Sequence, residues 1–179
     1  MSDQSENAFL AAIKALREVV APAVDRTNPL AVEQLRLVVM FLEFQLERRD
    51  LVRKLEWTEL RISVVLGEAV ACCLSSHDPL FAGRLTDLVT QGQAGLLATG
   101  APANHWQALS SDILNAVSEA VLALAEGNPP VRQALETLVL NHAGAILELK
   151  RTWFLSFGFE ARPEALPSLA QVFQACPQL

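Results

Sequence analysis

The chain has 179 residues, 51% of them hydrophobic and only 19% charged, with a formal net charge of −6. It is long enough to bury a substantial core, yet it falls short of the roughly 25% charged residues of ordinary soluble domains. The acidic balance argues against a nucleic-acid partner, whose binding rests on clustered Lys and Arg neutralising phosphates.

A membrane role is equally poorly supported. No basic amphipathic stretch of the kind that lies on anionic lipid is present. The longest uncharged run, residues 88–111, is broken by Gln91, Gln93, Pro102, Asn104 and three glycines, and is too polar to span a bilayer. The first six residues lack the basic and apolar regions of a secretory signal. Three cysteines, Cys72, Cys73 and Cys176, form no CxxC spacing. An odd number suits a reducing compartment, so a cytoplasmic location is expected, with Cys72 and Cys73 as small core residues.

Four breaks punctuate the chain, at Asn28-Pro29, His77-Asp78-Pro79, Pro102-Ala103-Asn104 and Asn128-Pro129-Pro130. Each sets a helix-capping side chain beside a proline suited to a first helical turn. Before the first break, Phe9, Ile13, Leu16 and Val20 recur at i, i+4, i+7 and i+11, and predict an amphipathic helix over 6–21 that Pro22 ends. The second helix is expected from Pro29 to about Leu55. Its apolar run 37–42 is unbroken, and Arg36, Glu43, Glu47, Asp50 and Lys54 form one narrow charged stripe, the pattern of a central bundle element. Glu43 and Glu47 stand one turn apart as a bridged metal would need, but the rest of their stripe is charged, and no metal is assigned.

The third helix, about 57–74, is apolar on most sides and carries Arg61 and Glu68 seven residues apart on one face. The fourth starts after Asp78 with Phe81, Leu85, Leu88 and Val89. It ends near Gln91 or continues through Gly92 and Gly95 to Ala98. Those glycines lack the GK[ST] ending of a phosphate loop, and read as close helix contacts or a frayed turn.

The fifth helix begins at Asn104 and repeats Trp106, Leu109, Ile113, Val117, Ala120 and Leu124, with Ser110, Ser111, Ala116 and Ser118 leaving room for a close neighbour. The sixth, 129 to about 154, repeats Leu135, Leu138, His142, Ala145 and Leu149, then meets Trp153, Phe154, Phe157 and Phe159. A short seventh covers about 167–175. No strand pattern survives. The expectation is one all-α domain over 1–179, a bundle of six or seven helices. The second, third, fifth and sixth form its core, residues 1–5 are disordered, and 160–179 is an extension packed on the bundle.

Candidate chemistry is sparse. His142 falls on an apolar stripe, where imidazole can ligate iron or move a proton, though a core histidine bonded to a carbonyl is the commoner arrangement. Glu68 lies in an apolar stretch and needs a partner if buried. Arg61 is two turns away, too far to reach it directly. His77 and His105 are expected in exposed loops, and the Arg48, Arg49, Arg53 and Lys54 cluster on a solvated helix end. No E-x-x-H pair, G-x-S-x-G elbow or D-D-x-x-D cluster occurs, so neither a catalytic set nor a metal site is assigned.

The leading expectation is a non-enzymatic interaction or regulatory module that self-associates as a homodimer, open to a protein partner. It is motivated by the high apolarity and by the small-residue faces of the third and fifth helices. The alternative is a carrier or sensor that holds an apolar ligand (lipid, haem or another tetrapyrrole) in an internal pocket, anchored by His142, Glu68 or Arg61. Outside that alternative no cofactor is expected. An enzyme using Glu68 or His142 as acid or base ranks third.

Overall fold

A computed structural model describes residues 4–98, 100–123 and 129–175. The fold is all-α. Its long helices are α1 (Gln4–Ala15), α3 (Pro29–Arg48), α4 (Val52–Leu74), α5 (Pro79–Leu97), α6 (Ala103–Ala123) and α7 (Pro129–Trp153), with short α2 (Ala21–Ala23) and α8 (Leu169–Ala175). Among the described residues no strand occurs, and no helix is long and apolar enough to cross a membrane. Residues 1–3 lie outside the description, as does Asn128 of the fourth break. Gln4 and Ser5 open α1.

The punctuation works as its chemistry requires. The Asn28 side chain accepts a hydrogen bond from the Ala31 backbone N–H at 3.1 Å, and the Asp78 carboxylate accepts one from Phe81 N–H at 3.0 Å. In both cases proline fills the first helical position, where its missing N–H costs nothing. Near Pro22 the first helix loosens instead of stopping at once. Leu16–Val20 forms a π-helical turn, in which Ala21 N–H donates to the Leu16 carbonyl. Pro22 cannot donate to the carbonyl four residues back, and the wider turn accommodates that loss. No Gly or Pro marks the boundary near residue 50. There, a single 3-10 turn at Arg49–Leu51 separates α3 from α4.

The chain forms two compact units, Met1–Leu51 with Ser156–Phe159, and Val52–Leu155 with Glu160–Leu179. The second holds the larger core. Its centre is α4, where Leu60, Val64 and Val70 are fully buried. Sixteen buried residues from α4, α5, α6 and α7 make one continuous cluster among the described residues, and burial on this scale is the main favourable contribution to folding.

Close approach of α4, α5 and α6 depends on glycine. A Cβ on Gly67 would stand 2.7 Å from Val89 Cγ2, one on Gly92 would stand 2.7 Å from Val64 Cγ2, and one on Gly95 would collide with Leu109. These contacts explain why α5 runs through Gly92 and Gly95 to Leu97. Where α4 crosses α6, the hydroxyls of Ser63 and Ser110 are 2.8 Å apart.

The C-terminal part of this unit closes on α4. Leu149 and Trp153 of α7 are buried, as are Val172 and Phe173 of α8, and the Lys54 ammonium lies 4.8 Å from the Phe173 ring centre. A two-pronged ion pair from Arg151 to Glu160, at 2.8 and 2.7 Å, fixes the segment after α7 and holds the Glu160 carboxyl below its usual value.

The first unit is a helical hairpin. Arg49 reaches Glu6 at 2.9 Å and Arg17 reaches Glu43 at 2.6 Å, so the start of α1 lies by the end of α3. Phe157 packs on Phe44 with ring centres 4.6 Å apart. This unit is where the expected core and the observed one part company. The 29–48 helix supplies none of the main cluster, and the fourth helix takes the place assigned to it.

Candidate functional site

The hairpin is thinly cored. Among the described residues of this unit, Ile13, Val39 and Phe44 are its buried apolar side chains. Along residues 4–51, seven large apolar residues, Leu10, Val19, Val20, Leu30, Val32, Val38 and Phe41, are 40–69% exposed. A monomer rarely exposes apolar residues in such density without a partner or ligand.

Those on α3 divide between two sides, Val32 on one and Leu30, Val38 and Phe41 on the other. Between the two helices lies a groove of about 670 Å³, walled by Leu16, Val24, Val32, Leu35, Val39 and Met40 and edged by Arg17, Arg26, Arg36 and Glu43. On the other side of α3 run Leu30, Val38 and Phe41. The apolar run 37–42 pointed to a buried central helix, yet it leaves Val38 46% and Phe41 51% exposed. Composition shows that these residues prefer burial; it cannot show whether the same chain provides it.

The residues singled out from the sequence have separate partners. His142 is half-buried on α7, with Nδ1 2.9 Å from the Leu138 carbonyl one turn earlier. The guanidinium of Arg61, a buried residue, lies 4.6 Å from the Trp57 ring centre, a cation–π stack. Glu68 is exposed and accepts from Gln93 Nε2 of α5 at 2.5 Å. It borders a cavity of about 520 Å³ with Cys72 and Thr86. Cys72 is exposed and Cys73 half-buried, against the expectation of two core thiols. Adjacent helical residues point about 100° apart, and Ala71 and Leu74 already fill the inner face.

Glu43 pairs with Arg17, and Glu47 with Arg48 at 2.7 Å. His77 and His105 are exposed. Among the described residues no three His, Cys, Asp or Glu side chains group as metal ligands.

One titratable group escaped the sequence. Glu59 of α4 is ion-paired with Lys150 of α7, and Glu56 stands one turn before it with Oε2 buried and unbonded. Burial, with the negative charge of Glu59 beside it, holds the Glu56 carboxyl above its usual value, while Arg53 and Lys150 pull against the rise. The E-x-x-E spacing was visible, but the single lysine that serves it lies more than ninety residues further on. The chain matches no protein-family model, no curated protein and no solved structure.

Proposed function

We propose that this chain is a non-enzymatic helical module of the cytoplasm that self-associates, most simply as a two-fold homodimer. One observation carries the reading. The hairpin buries three apolar side chains and leaves seven large ones exposed, whereas small units with so little core are usually stabilised by oligomerisation, metals or disulfides. The neighbouring unit, with its sixteen-residue cluster, has no comparable deficit. The free Cys72 and Cys73 thiols fit a reducing compartment. His142, Glu68 and Arg61 each have a partner of their own, at the Leu138 carbonyl, Gln93 and Trp57.

A second reading rests on the groove of about 670 Å³, within the usual size range of small-molecule pockets. Its apolar walls and arginine rim would take an apolar carrier ligand with an anionic end. Native mass spectrometry of the purified chain separates the two. Twice the chain mass with nothing added supports the dimer. A single chain with added mass that denaturation removes supports the carrier and contradicts the leading reading.

A further inference from the structure

The groove of the first unit has a definite length and two ends. On α3 its wall runs from Val32 to Glu43, a helical rise of about 16 Å. The Arg17–Glu43 ion pair ties the two helices together at one end. The connection between α2 and α3 brings Val24 and Arg26 to the other. Of the six basic side chains between Gln4 and Leu51, Lys14, Arg17, Arg36, Arg48 and Arg49 each hold a carboxylate. Arg26 holds none among the described residues. The carboxylate of its neighbour Asp25 is taken by the backbone N–H and hydroxyl of Thr27, at 2.8 and 2.7 Å.

We propose that the groove holds a single-chain carboxylate of the medium-chain fatty-acid class, with its head on Arg26 and its alkyl chain along Val32, Leu35, Val39 and Leu16. The inference rests on the carrier reading and names its ligand, its anchor and its direction. An extended alkyl chain advances about 1.3 Å per carbon, so about ten to twelve carbons fill the length. The guanidinium fork matches a carboxylate, and the charge makes that hydrogen bond stronger than one between neutral groups. The other arginines of the rim, Arg17 and Arg36, already hold Glu43 and Glu33.

The walls select against other occupants. Leu16, Val24, Leu35 and Val39 carry no hydrogen-bonding side chain. An extended peptide laid along them would leave backbone N–H and C=O groups unmet, whereas methylenes need no partner there. A helix about 10–12 Å across cannot enter between two helices that the Arg17–Glu43 pair holds together. Haem iron needs an axial ligand, most often an imidazole. The three histidines of the chain, His77, His105 and His142, all lie outside this unit.

The test is isothermal titration calorimetry of the full chain with decanoate and with its uncharged counterpart decanol. Wild type is set beside Arg26→Gln, Val32→Trp and Ala21→Trp, with helicity measured by circular dichroism. Ala21 and Val32 line the groove without being buried, so a tryptophan at either fills it, and either variant serves alone if the other fails to fold. The assignment predicts one decanoate per wild-type chain, bound at least about tenfold tighter than decanol. Arg26→Gln removes that margin and leaves decanol binding unchanged, and each tryptophan variant loses both ligands at unchanged helicity. Decanol bound as tightly as decanoate, or decanoate binding indifferent to Arg26→Gln, overturns the anionic anchor and leaves the carrier reading standing. Decanoate binding that survives both tryptophan variants overturns the groove as its site. A wild type that binds neither probe, with no fatty acid in its native mass, overturns the proposal. With no added mass of any kind the carrier reading falls as well, and a dimer that Val32→Trp then dissociates gives the groove to a second copy.

Discussion

Ser63 and Ser110 share a hydrogen bond 2.8 Å long where α4 crosses α6, with Ser63 fully buried and Ser110 5% exposed. Ser63 has one proton, and its Oγ donates it to the Glu59 carbonyl at 2.9 Å. Ser110 is therefore the donor between the two hydroxyls. The small faces of the third and fifth helices, which first suggested a surface for a second chain, are spent on each other inside one protomer.

That arrangement predicts a non-additive pair. Ser110→Ala removes one buried hydrogen bond and lowers stability by about 1 kcal/mol. Adding Ser63→Ala to it costs less than Ser63→Ala does in the wild type, because the shared bond is already gone. Urea denaturation of the four proteins in the cycle measures the coupling, and simple additivity would contradict a hydrogen bond shared by the two hydroxyls.

The glycines divide by surroundings. A Cβ on Gly67 would stand 2.7 Å from Val89 Cγ2 and 2.9 Å from Ile113 Cγ2, whereas one on Gly83 meets nothing within 4 Å. Both residues lie inside helices, where alanine is favoured by about 1 kcal/mol. At Gly67 the side chains it would strike are buried and β-branched, and overpacking costs about 1–3 kcal/mol. Gly67→Ala should lower the melting temperature and Gly83→Ala should raise it, both read by thermal unfolding.

Glu56 predicts a pH dependence. Its carboxyl sits above its usual value because burial and Glu59 disfavour the charged form. The folded state therefore takes up this proton more readily than the unfolded one. The group favours folding when protonated, and that contribution is lost as pH rises through its folded value. Glu56→Gln should raise the urea midpoint at pH 7 and change it little at pH 4. An equal effect at both values would remove the charge from the explanation.

Most of the helical plan was legible because its punctuation is local. Asn28 and Asp78 cap within three residues of themselves, and the Trp106, Ile113 and Val117 repeat needs only the helical period. What escaped depends on partners distant in sequence. Glu56 becomes unusual only when the fold buries it beside Glu59, and Cys72 turns outward because Ala71 and Leu74 claim the inner face. Val38 and Phe41 carry the signature of a core helix, and sequence cannot say whether the core they seek lies in the same chain. His142 is the instructive middle case. Its stripe runs between Leu135 and Leu149, both fully buried, while its imidazole turns to a carbonyl of its own helix.

The central proposal, that the thinly cored hairpin is covered by a second copy of the chain, is tested most directly by hydrogen–deuterium exchange of the wild-type chain at rising concentration. The account predicts that amides of Pro29–Arg48 and its partner α1 gain protection with concentration, while those of α4, α5 and α6 stay constant. Protection of α3 that is independent of concentration, or a gain confined to α7, would contradict it.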